Sequence, residues 1–251
     1  MSKVLRFSAL ALGLGLALGL TACGGKPPAP IKAHTAVQER ANPHTPSATA
    51  QPKPTATPPS RSATTVKSWS SPPPMTIDPN KNYTATFNTN LGTFTVRLFA
   101  KDAPQTVNNF VFLVNQGFYN GDHFFRVVKP FMIQTGDPTN LGTGGPGYNI
   151  PDELPVKHPY APGIVAMANT GQPNSGGSQF FICTGSESSV LNQEPNYTQF
   201  GQVVSGMDVV EKIAAVPVTA NPYGPPGPNG EPELSRPTQP VYINTITIQE
   251  S

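Results

Sequence analysis

Between Gly24 and Pro74 the chain is built mostly from Pro, Thr, Ser and Ala and has almost no Leu, Ile or Phe. A segment so poor in large apolar side chains cannot bury enough surface to offset its loss of conformational entropy, and it is expected to stay disordered. Any core must therefore come from 75–251. As a flexible coil, the 51 residues from Gly24 to Pro74 would reach about 40 Å, and more where proline runs stiffen them. The composition thus predicts three parts: 1–22, a leader; 23–74, a tether; and 75–251, one folded domain.

The leader carries Lys3 and Arg6, then an apolar run from Phe7 to Leu20 that ends in Leu20-Thr21-Ala22-Cys23. Small residues before a cut site mark a signal peptide. The run is too short and too rich in glycine for a spanning helix, which needs about 20 apolar residues. Leu-Thr-Ala-Cys resembles the bacterial lipobox, whose cysteine becomes the acylated N-terminus of the mature chain. Each buried methylene contributes about 0.8 kcal/mol, so two or more acyl chains on Cys23 would hold it stably at a membrane. The expected location is extracytoplasmic, as a membrane-anchored lipoprotein. Cys183 is the only other cysteine, which leaves no pair for an intramolecular disulfide once Cys23 is lipidated. It follows Phe180-Phe181-Ile182 and reads as a small thiol packed in the domain.

Charge divides along the same boundary. Gly24 to Pro74 has six Lys or Arg against one Glu, whereas Met75 to Ser251 has eight against thirteen acids. An acidic domain on a near-neutral mature chain has no electrostatic footprint for nucleic acid.

Within the domain, YTATFNTNLGTFTVRLF alternates apolar and polar residues on both sides of Asn90-Leu91-Gly92, a hairpin signal. Asp102-Ala103-Pro104 then supplies a cap and a first-turn proline. Val107, Phe110, Val111 and Val114 recur at helical spacing until Gly117. Further strands fit 124–128, 132–135, 164–167, 179–184, 200–204 and 241–248, with a second helix over 207–214. Eight short strands and two helices predict a mainly β fold: a closed eight-stranded antiparallel barrel, filled by side chains and capped by two α-helices. The segment 217–240, with eight prolines, reads as a surface loop or insertion.

Strand parity sorts the side chains. Gln179 and Phe181 share one face, Phe180 and Ile182 the other, and Met132 points with Gln134. Phe131 has the wrong parity for that set unless the strand start beside Pro130 is irregular. Arg126 has no acid beside it in its own strand, and Gln134 and Gln179 can hold its planar donor fork.

Other chemistry fits poorly. Gly142 to Gly147 matches a dinucleotide-binding pattern, but Pro146 interrupts it and neither a leading strand nor a following helix flanks it. Ser178 lacks the glycine that a nucleophile elbow needs two residues later, and His123 and His158 lack triad context. The four histidines are scattered, so neither a metal nor another cofactor is expected.

The stretches GFYNGDHFFRVV, PGYNIPDEL, GSQFFICT and FGQVVSGMDVVEKI, in order between Tyr83 and Ile248, resemble the cyclophilin family of peptidyl-prolyl isomerases. The resemblance implies the same barrel with a groove on its outer wall, and Arg126 as the catalytic residue. It implies substrate contacts from Phe131, Met132, Gln134, Ala168, Asn169, Gln179, Phe181, Leu191 and Tyr197. Phe131 would join them despite its parity. Two departures stand out: Val190 replaces a tryptophan that many members carry, and Tyr197 replaces a histidine. Tryptophan-bearing members bind the cyclic peptide cyclosporin tightly. The partners expected are unfolded or newly exported polypeptides with Xaa-Pro bonds, met by a monomer. The alternative is a non-catalytic proline-segment binder or holdase on the same fold.

Overall fold

The computed structural model describes residues 66–226 and 229–251. The leader, Cys23 and the tether as far as residue 65 lie outside the described residues.

The first hairpin forms where alternation placed it. Strand β1 (Tyr83–Thr89) pairs with β2 (Gly92–Leu98), and Thr89 faces Gly92 across the turn. Ala85, Phe87, Phe94 and Val96 point inward from the two strands and are buried. Helix α1 (Pro104–Asn115) starts on its proline and buries Val107, Phe110, Val111 and Val114. Its cap differs from expectation. Asp102 does not supply it; the cap position is Ala103, which makes no side-chain cap bond. The Glu153 carboxylate instead accepts the backbone N–H groups of Gln105 and Thr106, each at 2.9 Å. These are donors that a helix start leaves unsatisfied, and an anion there also complements the helix dipole.

The remaining elements are β3 (Arg126–Val128), β4 (Met132–Thr135), β5 (Ile164–Met167), β6 (Phe180–Cys183), a 3-10 helix (Ser186–Asn192), β7 (Gln199–Ser205), α2 (Met207–Ala214), β8 (Val218–Pro226), β9 (Pro232–Pro237) and β10 (Ile243–Glu250). Eight strands make one curled antiparallel sheet, a half-barrel in the order β10-β1-β2-β7-β5-β6-β4-β3. The expected closed ladder is replaced by a looser meeting of its ends. β3 and β10 do not pair; just before them, His123 bridges Tyr242 and the Phe124 N–H donates to Val241 O at 2.8 Å.

The concave side holds the main core, in which aromatic rings dominate. Phe87 stacks on Phe94 at 4.6 Å, and Phe110 meets Phe180 at 5.7 Å with perpendicular planes. Such offset and edge-to-face pairs add stabilisation beyond area burial.

Two findings depart from the sequence reading. The stretch 66–74, assigned above to the disordered tether, lies on the domain: the Trp69 N–H donates to Pro146 O at 2.9 Å and its indole packs on Phe112 and Phe118. The proline-rich insertion is a two-stranded hairpin, β8 with β9, outside the main sheet. Its prolines sit in a two-stranded ribbon interrupted by register shifts, where a missing N–H costs little.

Candidate active site

β4 and β6 lie side by side, and their parity splits the sheet into two environments. Ile133, Phe180 and Ile182 enter the main core. Met132, Phe181 and Cys183 face outward, where with Phe99, Tyr160, Ile164 and Ala166 they form a second buried apolar cluster. Phe131, Ala168, Leu191 and Tyr197 pack against this outer cluster, so the structure brings together six of the side chains named as substrate contacts. Phe131 reaches it because it precedes β4: its N–H donates to Val128 O within the β3–β4 turn, and strand parity does not apply there. Tyr197 stands edge-on to Phe181, with centroids 5.3 Å apart.

A row of polar side chains runs beside this cluster. Arg126 on β3 pairs in register with Gln134 on β4, which faces Phe181 on β6. Arg126 Nη1 donates to Gln134 Oε1 at 3.3 Å and lies 4.0 Å from Met132 Sδ. Gln134 Nε2 donates to Gln179 Oε1 at 3.0 Å, and Gln179 Nε2 to Gly144 O at 2.9 Å. Each glutamine thus accepts with its oxygen and donates with its nitrogen, so the row is ordered end to end. Ala168 and Asn169 border it: with Gln134 and Gln179 they line one depression, and Asn169 lines the next with Val190, Leu191 and Tyr197. The Ala168 N–H is already committed to Gln179 O at 2.9 Å.

The glycine-rich loop has a structural role. The carboxylate of Asp137, fully buried, accepts the backbone N–H groups of Thr139, Leu141, Gly142 and Thr143. Donors that could have cradled a phosphate therefore fold the loop around an internal anion. The loop in turn presents Gly144 O to Gln179. A Cβ at Gly144 would sit 2.2 Å from Asp137 Oδ1, so the close approach requires glycine.

Residues weighed for other chemistry have structural partners among the described residues. Ser178 Oγ is buried and donates to Gly136 O. His158 pairs with Asp102 at 3.3 Å. Among the described residues no group of three His, Cys, Asp or Glu could hold a metal ion.

Sequence reading missed one neighbour of Arg126. Glu233 on β9 meets its guanidinium with both oxygens, Nε to Oε2 at 2.6 Å and Nη2 to Oε1 at 2.8 Å. Burial pushes the Glu233 carboxyl up, but hydrogen bonds from Arg126 and Ser235 outweigh this and hold it below the ordinary carboxylate range.

Comparison with known proteins identifies the family. The family model for the cyclophilin type peptidyl-prolyl cis-trans isomerase/CLD matches residues 84–248. The probable peptidyl-prolyl cis-trans isomerase A of Mycobacterium leprae is 40% identical over 190 residues, covering 67% of this chain and 93% of that protein. Peptidyl-prolyl cis-trans isomerase-like 3 of Rattus norvegicus is 37% identical over 168 residues, covering 65% of this chain and 94% of its own. A solved cyclophilin type isomerase of Cryptosporidium parvum superposes with a TM-score of 0.58 at 29% identity, over 68% of this chain and 99% of that one. A match over most of the folded domain, with an arginine and two glutamines ordered beside an outward apolar cluster, makes this chain a member of the cyclophilin-type peptidyl-prolyl cis-trans isomerase family.

Proposed function

We propose that Arg126 catalyses rotation about Xaa-Pro bonds by donating a hydrogen bond to the prolyl nitrogen as the amide twists. Amide resonance opposes rotation by about 18–20 kcal/mol, and no covalent bond has to break. In the twisted state the nitrogen becomes pyramidal and its lone pair can accept a proton donor. A hydrogen bond to a charged group contributes about 1.5–3 kcal/mol net, or roughly tenfold to a few hundredfold in rate. The apolar group of Phe131, Met132, Phe181, Leu191 and Tyr197 supplies the rest by gripping the ring in a water-poor pocket that favours the twisted form. Gln134 and Gln179 hold the donor. Backbone at Ala168 and Asn169 fixes the residue before proline; the Ala168 N–H is engaged by Gln179 O, so Ala168 takes part through its carbonyl.

The observation that carries this reading is the Arg126 guanidinium held by Gln134 at the edge of the outward apolar cluster. The direct test is cis/trans exchange of a short Xaa-Pro peptide by NMR: catalytic amounts of the protein accelerate exchange, whereas a holdase would bind the peptide and leave the rate unchanged.

The setting rests on the sequence. Leader, lipobox and Pro-rich tether point to a lipoprotein held at an extracytoplasmic membrane face through Cys23, acting as a monomer on newly exported or unfolded chains. A tether of this length lets the domain reach clients away from the membrane surface.

A further inference from the structure

The β8–β9 hairpin returns across β3 and sets Glu233 on the Nε–Nη2 edge of Arg126. The pair is bidentate and largely covered, with side chains 18% and 22% exposed. Planar fork against carboxylate is the arrangement in which arginine is most firmly oriented. The hairpin is braced internally: Ser235, fully buried, takes a hydrogen bond from Asn221 Nδ2 at 3.1 Å, joining β9 to β8. Gln134 holds the guanidinium at Nη1. Nη1 also donates to Met132 Sδ at 4.0 Å, a weak bond to a thioether, so four contacts hold the guanidinium among the described residues and the pocket-side one is the easiest to give up.

We propose that Glu233 is a positioning residue for the isomerase reaction, clamping Arg126 so that its terminal N–H groups face the prolyl pocket. This inference rests on Arg126 being the donor. The geometry sets a clamp apart from a plug: Glu233 occupies the Nε–Nη2 edge, while Nη1 lies over Met132 Sδ on the pocket side. A long flexible side chain that is already oriented loses little further freedom when the transition state forms.

The test uses the full chain with Glu233→Ala, the near-isosteric Glu233→Gln, Arg126→Ala and the Glu233→Ala/Arg126→Ala double variant. Peptide kcat and KM are measured for each. Thermal unfolding and the NMR signal of the Arg126 Nε–H are recorded for every chain that retains the arginine. Glu233→Ala is expected to lower kcat roughly tenfold through misorientation of the donor, with KM changed by less than about twofold and faster solvent exchange of the Nε–H. Glu233→Gln, which can still accept one of the two bonds, should fall between. In the Arg126→Ala background, removing Glu233 should cost nothing more. An unchanged or raised kcat in both Glu233 variants overturns the proposal, as does an equal loss with and without Arg126. Full activity of Arg126→Ala would instead overturn the donor reading beneath it.

Discussion

The indole of Trp69 meets the ring of Phe112 edge-on, with centroids 5.2 Å apart and planes at 68°, and lies 6.0 Å from Phe118. The chain's single tryptophan therefore reports on the folded domain. Its fluorescence should change at the same denaturant midpoint as the far-UV circular dichroism. Starting the chain at Met75 should cost about 1–3 kcal/mol, less than loss of a fully buried tryptophan. Tryptophan emission that is already solvent-like in the native protein would rule out this docking.

Arg126→Ala should remove most of the isomerase activity and keep the fold, because the side chain lies outside both apolar clusters, while the Glu233 carboxylate left without its partner lowers the unfolding midpoint. Arg126→Lys should recover little, since an ammonium has no planar fork to match Glu233 and Gln134. An alanine variant keeping more than about half the rate would refute the donor role.

Val190 lies on the 3-10 helix, 54% exposed, at the rim next to Leu191. Valine offers neither an indole donor nor a large face, so cyclosporin should inhibit weakly. Val190→Trp should tighten it by about 1–3 kcal/mol. Tight inhibition of the unmodified protein would show that the rim residues are misassigned.

Burial pushes the Cys183 thiol up to about 11, against the opposing hydrogen bond from Ser188. Because the folded value is raised, the neutral thiol's contribution to stability is complete below its unfolded value of 9.0 and is lost as pH climbs toward 11. Iodoacetamide at neutral pH should leave Cys183 unmodified until the protein is denatured, as peptide mass mapping can show. Rapid native labelling would contradict the packing.

Cys23→Ser should move the protein from the membrane to the soluble fraction and leave its intrinsic peptide activity unchanged. A variant that stays firmly in the membrane pellet would argue for a spanning leader in place of a lipid anchor.

What the sequence by itself determined was local and periodic. Alternation around Asn90-Leu91-Gly92 gave the hairpin, 3.6-residue spacing gave the first α-helix, and parity separated Phe180 and Ile182 from Phe181 and Met132. With family resemblance added, Arg126 and the row through Gln134 and Gln179 could also be named. Tertiary structure alone decided the contacts between distant segments. Glu153 caps a helix that begins 49 residues earlier in sequence, and 107 residues separate Arg126 from Glu233. The β8–β9 hairpin was illegible for a definite reason: its buried positions include the polar Asn221 and Ser235, while Leu234 points to solvent. Strand recognition depends on apolar residues alternating inward, and this ribbon is seated by hydrogen bonds and one ion pair. Trp69 escaped for a related reason. One aromatic among prolines and serines has no period to read, and only the packing of Phe112 and Phe118 gives it a place to bind.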